Sequence, residues 1–218
     1  MIEFATIFLF AILQSIFGIG ILFFGTPTLL LLGFPFAETL SVLLPASLAV
    51  SAFQVMGAGV PKCNQVCIYA IWCLIPLAIA LLSGLALGWE VKLEAVVASI
   101  LLIYVVIRLS PRMETALCGT VRKLPQVWLV AIGTVHGLSN LGGGLLAIFA
   151  ASRFEEKREV RGNIAFCYMC FAIIQLATLA CLRPDVMQFR QLGYAGLAIV
   201  VFVIVDRLVF GSIVNPVF

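Results

Sequence analysis

Two segments of this sequence hold small polar residues and glycines but no charged side chain. Residues 4–37 and 124–152 contain no Asp, Glu, Lys or Arg. The positions with chemical potential in these segments are Gly18, Gly20, Gly25, Thr26 and Pro27 in the first, and His136, Ser139, Asn140, Gly142, Gly143 and Gly144 in the second. Each glycine costs a continuous helix about 1 kcal/mol relative to alanine, and proline removes a backbone donor. We therefore expect both segments to contain a broken helix.

Broken helices of this kind are suited to binding anions. A helix that begins inside a membrane presents free N–H groups and about half a positive charge at its N-terminus. Gly25, Thr26 and Pro27 predict one such start, with Thr26 as the cap and Pro27 at the first helical position. Ser139, Asn140 and the three glycines predict the other. We expect the two ends to converge near the membrane midplane and to bind a small anion through amides and hydroxyls.

Other polar residues lie in the apolar segments that follow the breaks. Ser47 and Ser51 are one helical turn apart, and Gln54, Asn163 and Gln175 are amides within apolar runs. Polar residues inside a membrane line a pathway or tie helices together, and both interpretations stay open. His136 is the single histidine. It either titrates and couples protons to transport, or it is a buried neutral histidine bonded to the backbone.

The composition defines the class of protein that must position these residues. Hydrophobic residues make up 63% of the chain and charged residues 11%, with a mean hydropathy of +1.20. Soluble domains are about 45–50% apolar, so we predict an all-α, polytopic membrane protein of the inner cell membrane. The net charge of +3 is small and scattered, which argues against a nucleic-acid partner. No cofactor, metal site or enzymatic activity is predicted.

Hydrophobic runs and loop charges predict how the segments are arranged. Runs of about 20 residues span a bilayer as helices, and five are expected at 38–57, 67–88, 91–109, 160–182 and 190–210. The broken segments 4–33 and 127–151 bring the number of hydrophobic segments to about seven. If 127–151 crosses the membrane once, seven basic residues lie inside and six outside; if it enters and returns on one side, ten lie inside and three outside. The positive-inside rule favours the second arrangement, a re-entrant hairpin.

Counting backward, the first broken segment then returns to the opposite side of the membrane. This predicts two inverted repeats, 1–110 and 127–218, joined by a cytoplasmic linker at 111–126. A spacing of sixteen residues occurs in both halves, between Glu38 and Gln54 and between Glu159 and Gln175. The second repeat is shorter than the first.

Two parts of the chain resemble the TauE/SafE sulfite exporter family. FGIGILFFGTPTLLLLGFPFAETLSVLLPASLAV (17–50) is similar to the first signature of the family, a glycine-rich break, an apolar run and an Ala/Ser-rich helix. GLSNLGGGLLAIFAASRFEEKREVRGNIAFCYMCFAIIQ (137–175) is similar to its second-repeat counterpart. The resemblance implies a secondary transporter of small sulfur-containing anions such as sulfite, thiosulfate or sulfoacetate, driven by an ion gradient. A homodimer is a further expectation.

Two functions of other classes are also open. Cys167 and Cys170 form a CxxC pair on one helical face, which suggests a membrane thiol-redox relay. The chain is alternatively a membrane assembly protein that transports nothing. The transporter is the preferred interpretation, because neither broken segment contains a cysteine.

Overall fold

The computed structural model describes residues 1–86 and 109–209, together with the isolated positions 99, 102, 105 and 106. This part of the chain contains helices and no strand. The helices are α1 (Ile2–Phe17), α2 (Ile21–Leu31), α3 (Phe36–Ala58), α4 (Cys63–Ala86), α5 (Pro111–Lys123), α6 (Pro125–Ser139), α7 (Gly143–Arg153), α8 (Lys157–Leu182) and α9 (Arg190–Val209). Helix α4 includes a π-helical stretch, Ala70–Leu74, and a short 3-10 turn, Pro184–Val186, joins α8 to α9.

Four helices have the length and composition needed to cross a membrane. Helices α3, α4, α8 and α9 contain 23, 24, 26 and 20 residues, respectively, and each is strongly apolar. They confirm the helices predicted at 38–57, 67–88, 160–182 and 190–210. The fifth prediction, 91–109, lies outside the described residues except for the isolated positions. The all-α class is therefore confirmed, and the long apolar helices are those expected of a membrane protein.

The helices break where the sequence predicts. Helix α1 ends at Gly18, whose φ is +79°, and α6 ends at Asn140, whose φ is +63°. Glycine and asparagine are the residues that most readily adopt this left-handed conformation at a helix end. The N–H of Gly18 donates to the carbonyl of Gln14, and the N–H of Asn140 donates to that of His136 (2.9 and 2.8 Å). We call residues 18–20 the first break and residues 140–142 the second break.

In the first broken segment, the prediction that a helix begins at Thr26 and Pro27 is wrong. Helix α2 begins at Ile21 with Gly20 as its cap, so Thr26 is not a cap and Pro27 lies inside the helix. The helix can start early because Gly20 fits tightly against α1, and because the side-chain oxygen of Gln14 accepts the N–H of Ile21 (3.1 Å). An interior proline is tolerated in membrane helices when surrounding groups satisfy the backbone. The second segment agrees closely with the prediction, since α7 begins at Gly143.

Each broken segment folds back on itself as a helical hairpin. In the first, the rings of Phe10 on α1 and Phe24 on α2 stack with centroids 5.9 Å apart. In the second, the Nε of Arg122, just before α6, donates to the carbonyl of Ser152 at the end of α7 (3.2 Å). The entry and exit of the second segment therefore lie side by side.

Long-range contacts fix the relative directions of the longer helices. The guanidinium of Arg158, at the start of α8, donates to the carbonyl of Gly57 at the end of α3 (2.9 Å), so these two helices are antiparallel. At the start of α9, the hydroxyl of Tyr194 donates to the carboxylate of Glu3 at the start of α1. Helix α1 packs along α9, and α6 packs along α4.

The linker predicted at 111–126 is mostly helical and not a loop. Helix α5 fills residues 111–123, with Pro111 at its first position and the hydroxyl of Ser110 accepting the N–H of Met113 (3.5 Å). A serine cap followed by proline is a recognised helix start. The positive charges of Arg122 and Lys123 in the last turn are favourable next to the helix C-terminus.

Candidate functional site

Three buried polar side chains join the second break to the opposite hairpin. The Nδ2 of Asn140 donates to the hydroxyl of Thr26 on α2 (2.8 Å), and the Nε2 of Gln175 on α8 donates to the Oδ1 of Asn140 (3.3 Å). All three side chains are fully buried. Residues distant in sequence thus form one network, which we call the second-break cluster: Thr26, Asn140, Gln175 and the neighbouring His136.

His136 is enclosed by aromatic rings in this cluster. Its ring lies 4.4 Å from that of Phe171 and 5.7 Å from that of Tyr168, centroid to centroid, beside the Gln175 amide. Neither ring nitrogen meets the geometry of a full hydrogen bond among the described residues, and neither does the Oε1 of Gln175. The alternative of a histidine bonded to the backbone is therefore not what the structure contains.

A comparable network surrounds the first break. The Nε2 of Gln14 donates to the hydroxyl of Ser51 (3.2 Å), and the Nε2 of Gln54 donates to the Gln14 carbonyl (2.9 Å). The Oε1 of Gln14 accepts the first N–H of α2 from Ile21. We call Gln14, Ser51 and Gln54 the first-break cluster. The sequence interpretation overlooked Gln14, although it precedes Gly18 by four residues just as His136 precedes Asn140.

The two capping glycines allow the arms of each hairpin to approach closely. A Cβ on Gly20 would lie 2.5 Å from the carbonyl oxygen of Phe10, and a Cβ on Gly142 would lie 2.6 Å from that of Ile132. Real Cβ atoms do not come this close to other atoms. Phe10 and Gly20 are ten residues apart, and so are Ile132 and Gly142. The second pair follows the first by 122 residues. These glycines are therefore required for hairpin packing.

Gly143 provides the surface on which Tyr168 rests. A Cβ on Gly143 would lie 2.8 Å from the Cζ of Tyr168 and still closer to its hydroxyl oxygen. Tyr168 is fully buried and contacts the rings of His136 and Phe171. The tyrosine hydroxyl thus lies at the first turn of α7, where the sequence predicts that an anion binds. Sequence reasoning did not identify Tyr168, which looks like an ordinary aromatic residue of an apolar helix.

The remaining predicted residues have separate positions. The Oδ1 of Asn163 accepts from the hydroxyl of Tyr69 (2.9 Å) and ties α8 to α4, about 18 Å along α8 from Gln175. The hydroxyl of Ser47 is buried and has no hydrogen-bond partner among the described residues. Ser139 donates to the carbonyl of Val135 within α6 (2.7 Å). Gly25 lies against Leu43 of α3, and Gly144 is buried in α7.

The residues expected to converge, Thr26 and Asn140, do meet through a hydrogen bond of 2.8 Å, but the two breaks themselves, at 18–20 and 140–142, lie apart. A Cβ on Gly18 would contact Arg161 at 3.6 Å, whereas Asn140 bonds Gln175. Arg161 and Gln175 are fourteen residues apart on α8, about 21 Å at 1.5 Å per residue. Helix α1 has 16 residues and α6 has 15, so each break lies more than about 20 Å along its hairpin from the start of the first arm. The hairpins pass alongside each other, and the second break lies against Thr26 instead of the first break.

Two charged residues that were not predicted lie beside the first break. The Nη2 of Arg161 donates to the carbonyl of Ser15 near the end of α1, and to the carboxylate of Asp206 on α9, both at 2.9 Å. Ser15 and Asp206 lie 146 and 45 positions from Arg161 along the chain. A local sequence pattern therefore cannot reveal these contacts. Arg161 and Asp206 thus form an ion pair beside the tip of the first hairpin.

Other features lie away from the breaks. Cys167 is buried and Cys170 half-buried on α8, and all seven cysteines are free thiols. No group of three potential metal ligands occurs among the described residues. An open cleft of about 740 Å³ lies at the base of the second hairpin, lined by Arg122, Ala151, Ser152, Arg153, Phe154 and Glu155.

Comparison of the chain with protein-family models, curated proteins and solved structures finds no match. The resemblance to TauE/SafE therefore stays a prediction, and the candidate function rests on the two break clusters.

Proposed function

We propose that this protein is a secondary membrane transporter of a small anion, with a pathway that passes the two breaks. One observation carries the proposal. Buried polar atoms at both breaks lack a well-formed hydrogen bond among the described residues: the two nitrogens of His136, the neighbouring Oε1 of Gln175, and the Oε1 of Gln54. Buried polar groups in proteins are almost always bonded. Leaving them unbonded costs about 1–3 kcal/mol each, so a polar ligand or water in a pathway is the simplest reason for their retention.

The repetition of elements supports an inverted-repeat mechanism. Helices α2 and α7 each have 11 residues and begin at Ile21 and Gly143, which are 122 positions apart. Helices α3 and α8 begin at Phe36 and Lys157, 121 positions apart, and run antiparallel. Helix α1 of the first half packs along α9 of the second half, and α6 of the second half packs along α4 of the first. The first arm of each hairpin therefore packs against a helix of the other half. We infer that the hairpins enter the membrane from opposite sides, and that each break controls access from one side.

The chemistry of the breaks favours an anion. The first N–H of α2 already binds an oxygen, the Oε1 of Gln14, in the position that an oxyanion would take. Helix N-termini attract negative charge. The amide of Gln14 would turn away when an anion binds and would return when it leaves. His136 is the residue we propose to carry a coupling proton, because it is the single histidine of the chain and lies in the second-break cluster.

The resemblance to TauE/SafE supplies the substrate class, which is oxidised sulfur compounds such as sulfite, thiosulfate and sulfoacetate. The location we propose is the inner cell membrane, with several crossings. A redox relay is less well supported, because Cys167 is buried and lies in neither break cluster.

Uptake into proteoliposomes tests the proposal. Labelled sulfite, thiosulfate and sulfoacetate are supplied with and without a proton gradient, and we expect at least one to accumulate. Gln175→Leu should reduce the flux strongly because it removes a polar member of the second-break cluster. Gln126→Leu is the matched control, since Gln126 is an exposed amide on α6, outside both break clusters. If other small anions move and these three do not, the sulfur assignment fails; if no anion moves, the transport proposal fails.

A further inference from the structure

Arg161 brings a positive charge to the first hairpin, whose own segment, residues 4–37, contains no charged side chain. The guanidinium bonds the Ser15 carbonyl, three residues before Gly18, and its Cγ is the atom nearest to a Cβ built on Gly18 (3.6 Å). A cation is favourable at this place because α1 ends here and its terminal carbonyls carry partial negative charge. Arg161 therefore lies within reach of any anion that passes the first break.

The carboxylate of Asp206 is the counter-ion of this guanidinium. The Nη2 of Arg161 and the Oδ1 of Asp206 are 2.9 Å apart, and the two side chains are 23% and 39% exposed. The pair is thus partly open to its surroundings and not sealed in the core. Arg158 lies three residues before Arg161 on α8 and donates to the carbonyl of Gly57 on α3. It is bonded there and not to the carboxylate of Asp206.

We infer that Arg161 selects the charge of the transported anion, and that Asp206 is a resident counter-ion which the substrate replaces. The inference rests on the proposed transport function. The planar guanidinium fork binds a pair of oxygens on carboxylate, sulfonate or sulfite with the same geometry. A small oxyanion and the carboxylate of Asp206 therefore compete for the same N–H groups. The ligand class is a small oxyanion with at least two exposed oxygens.

The competing explanation is that the pair only ties α1, α8 and α9 together. The two explanations make opposite predictions for one variant. If the pair is only a tie, Asp206→Asn weakens packing and cannot improve binding of an anion. If Asp206 competes with the substrate, the same change removes the competitor and improves binding.

The test measures binding of thiosulfate and sulfite to the purified full chain. Unfolding temperature is followed as each anion is titrated, because a ligand that binds the folded state raises it in proportion to its affinity. Asp206→Asn should lower the apparent Kd by up to about fivefold, the upper limit for an exposed ion pair. Arg161→Gln should weaken binding about tenfold or more, and Arg161→Lys should retain part of it because the charge remains.

The chain contains a matched control for the ion pair. Arg183 and Asp185 form a pair of the same residue types at 2.8 Å in the connection after α8, with both side chains about half exposed. The Arg183 guanidinium holds the pKa of Asp185 below its usual range, mainly through their hydrogen bond, so the carboxylate of the control pair is ionised. Asp185→Asn should leave the affinity unchanged, and the neutral dimethyl sulfone should not bind any variant.

The outcomes separate the inference from the proposed function. A rise in affinity in Asp206→Asn supports the inference and cannot come from misfolding. Wild-type affinity in Asp206→Asn and in Arg161→Gln overturns it while leaving anion transport intact. If the wild-type protein binds neither anion, this inference and the sulfur assignment are both refuted, and the uptake of other small anions decides whether the transport proposal stands.

Discussion

The contact between Gly143 and Tyr168 predicts a large effect from a single methyl group. Gly143→Ala places a Cβ 2.8 Å from the Cζ of Tyr168, where ordinary contacts are 3.4–4 Å. The ring must therefore move by at least about 0.6 Å, and the nearer hydroxyl oxygen must move further. Tyr168 cannot move freely, because it is fully buried and contacts the rings of His136 and Phe171.

Two opposing free-energy terms set the magnitude. Overpacking of a well-packed interior costs about 1–3 kcal/mol, and the rigid surroundings of Tyr168 favour the upper end. Alanine recovers up to about 1 kcal/mol over glycine in a helix. The net destabilisation is then about 2 kcal/mol, which lowers the unfolding temperature of a chain of this size by roughly 4–8 °C.

Thermal unfolding of the purified protein at a fixed scan rate measures this effect. Gly196→Ala on α9 is the control, since no atom lies within 4 Å of a Cβ at that position, and it should be neutral or slightly stabilising. Tyr168→Phe removes the nearest atom, so the double variant Gly143→Ala/Tyr168→Phe should recover part of the loss. The reasoning is refuted if Gly143→Ala melts no lower than Gly196→Ala, or if Tyr168→Phe has the same effect with and without the alanine.

Two further predictions concern the second break and the topology. Asn140→Gly keeps the left-handed conformation and removes the bonds to Thr26 and Gln175, so it should lower the free energy of unfolding by about 1–3 kcal/mol. Thr26→Val should lower it little further when it is added to Asn140→Gly. Full additivity of the two changes would show that the Asn140–Thr26 bond contributes nothing. Arg112→Cys and Lys157→Cys, both exposed, should react with a membrane-impermeant maleimide from the same side of sealed vesicles, and reaction from opposite sides would rule out the re-entrant second hairpin.

The sequence predicted the helices and the breaks because their signals are local. Long charge-free runs predict membrane-length helices, and the described ones agree to within four residues with α3, α4, α8 and α9. Glycine and asparagine mark the two breaks because few other residues adopt positive φ at low cost. The start of α2 was missed because Pro27 looked like a first helical residue. Whether a proline is tolerated inside a helix depends on the surrounding helices, which a local pattern does not contain.

The site was predicted only in part. Thr26 and Asn140 were predicted as parts of two converging ends, Gln175 was singled out by itself, and the structure joins all three by hydrogen bonds. Gln14 and Arg161 were missed because each acts through partners far along the chain: Ser51 for Gln14, and the carbonyl of Ser15 for Arg161. Asn163 was grouped with the breaks but ties α8 to α4 instead. An apolar pattern shows that a polar residue is buried, but not which residue satisfies it.

The sequence by itself determined that the chain is helical and apolar, and where the helices stop, because burial of apolar surface and backbone strain at a break depend on residue type and local order. Only the tertiary structure decided that the hairpins pass alongside each other, that each break has its own polar cluster, and that Arg161 reaches the first of them. The hydrophobic effect has no direction and specifies no partner. Hydrogen bonds and ion pairs require defined distances and angles, so they are settled only when the packed helices bring distant residues together.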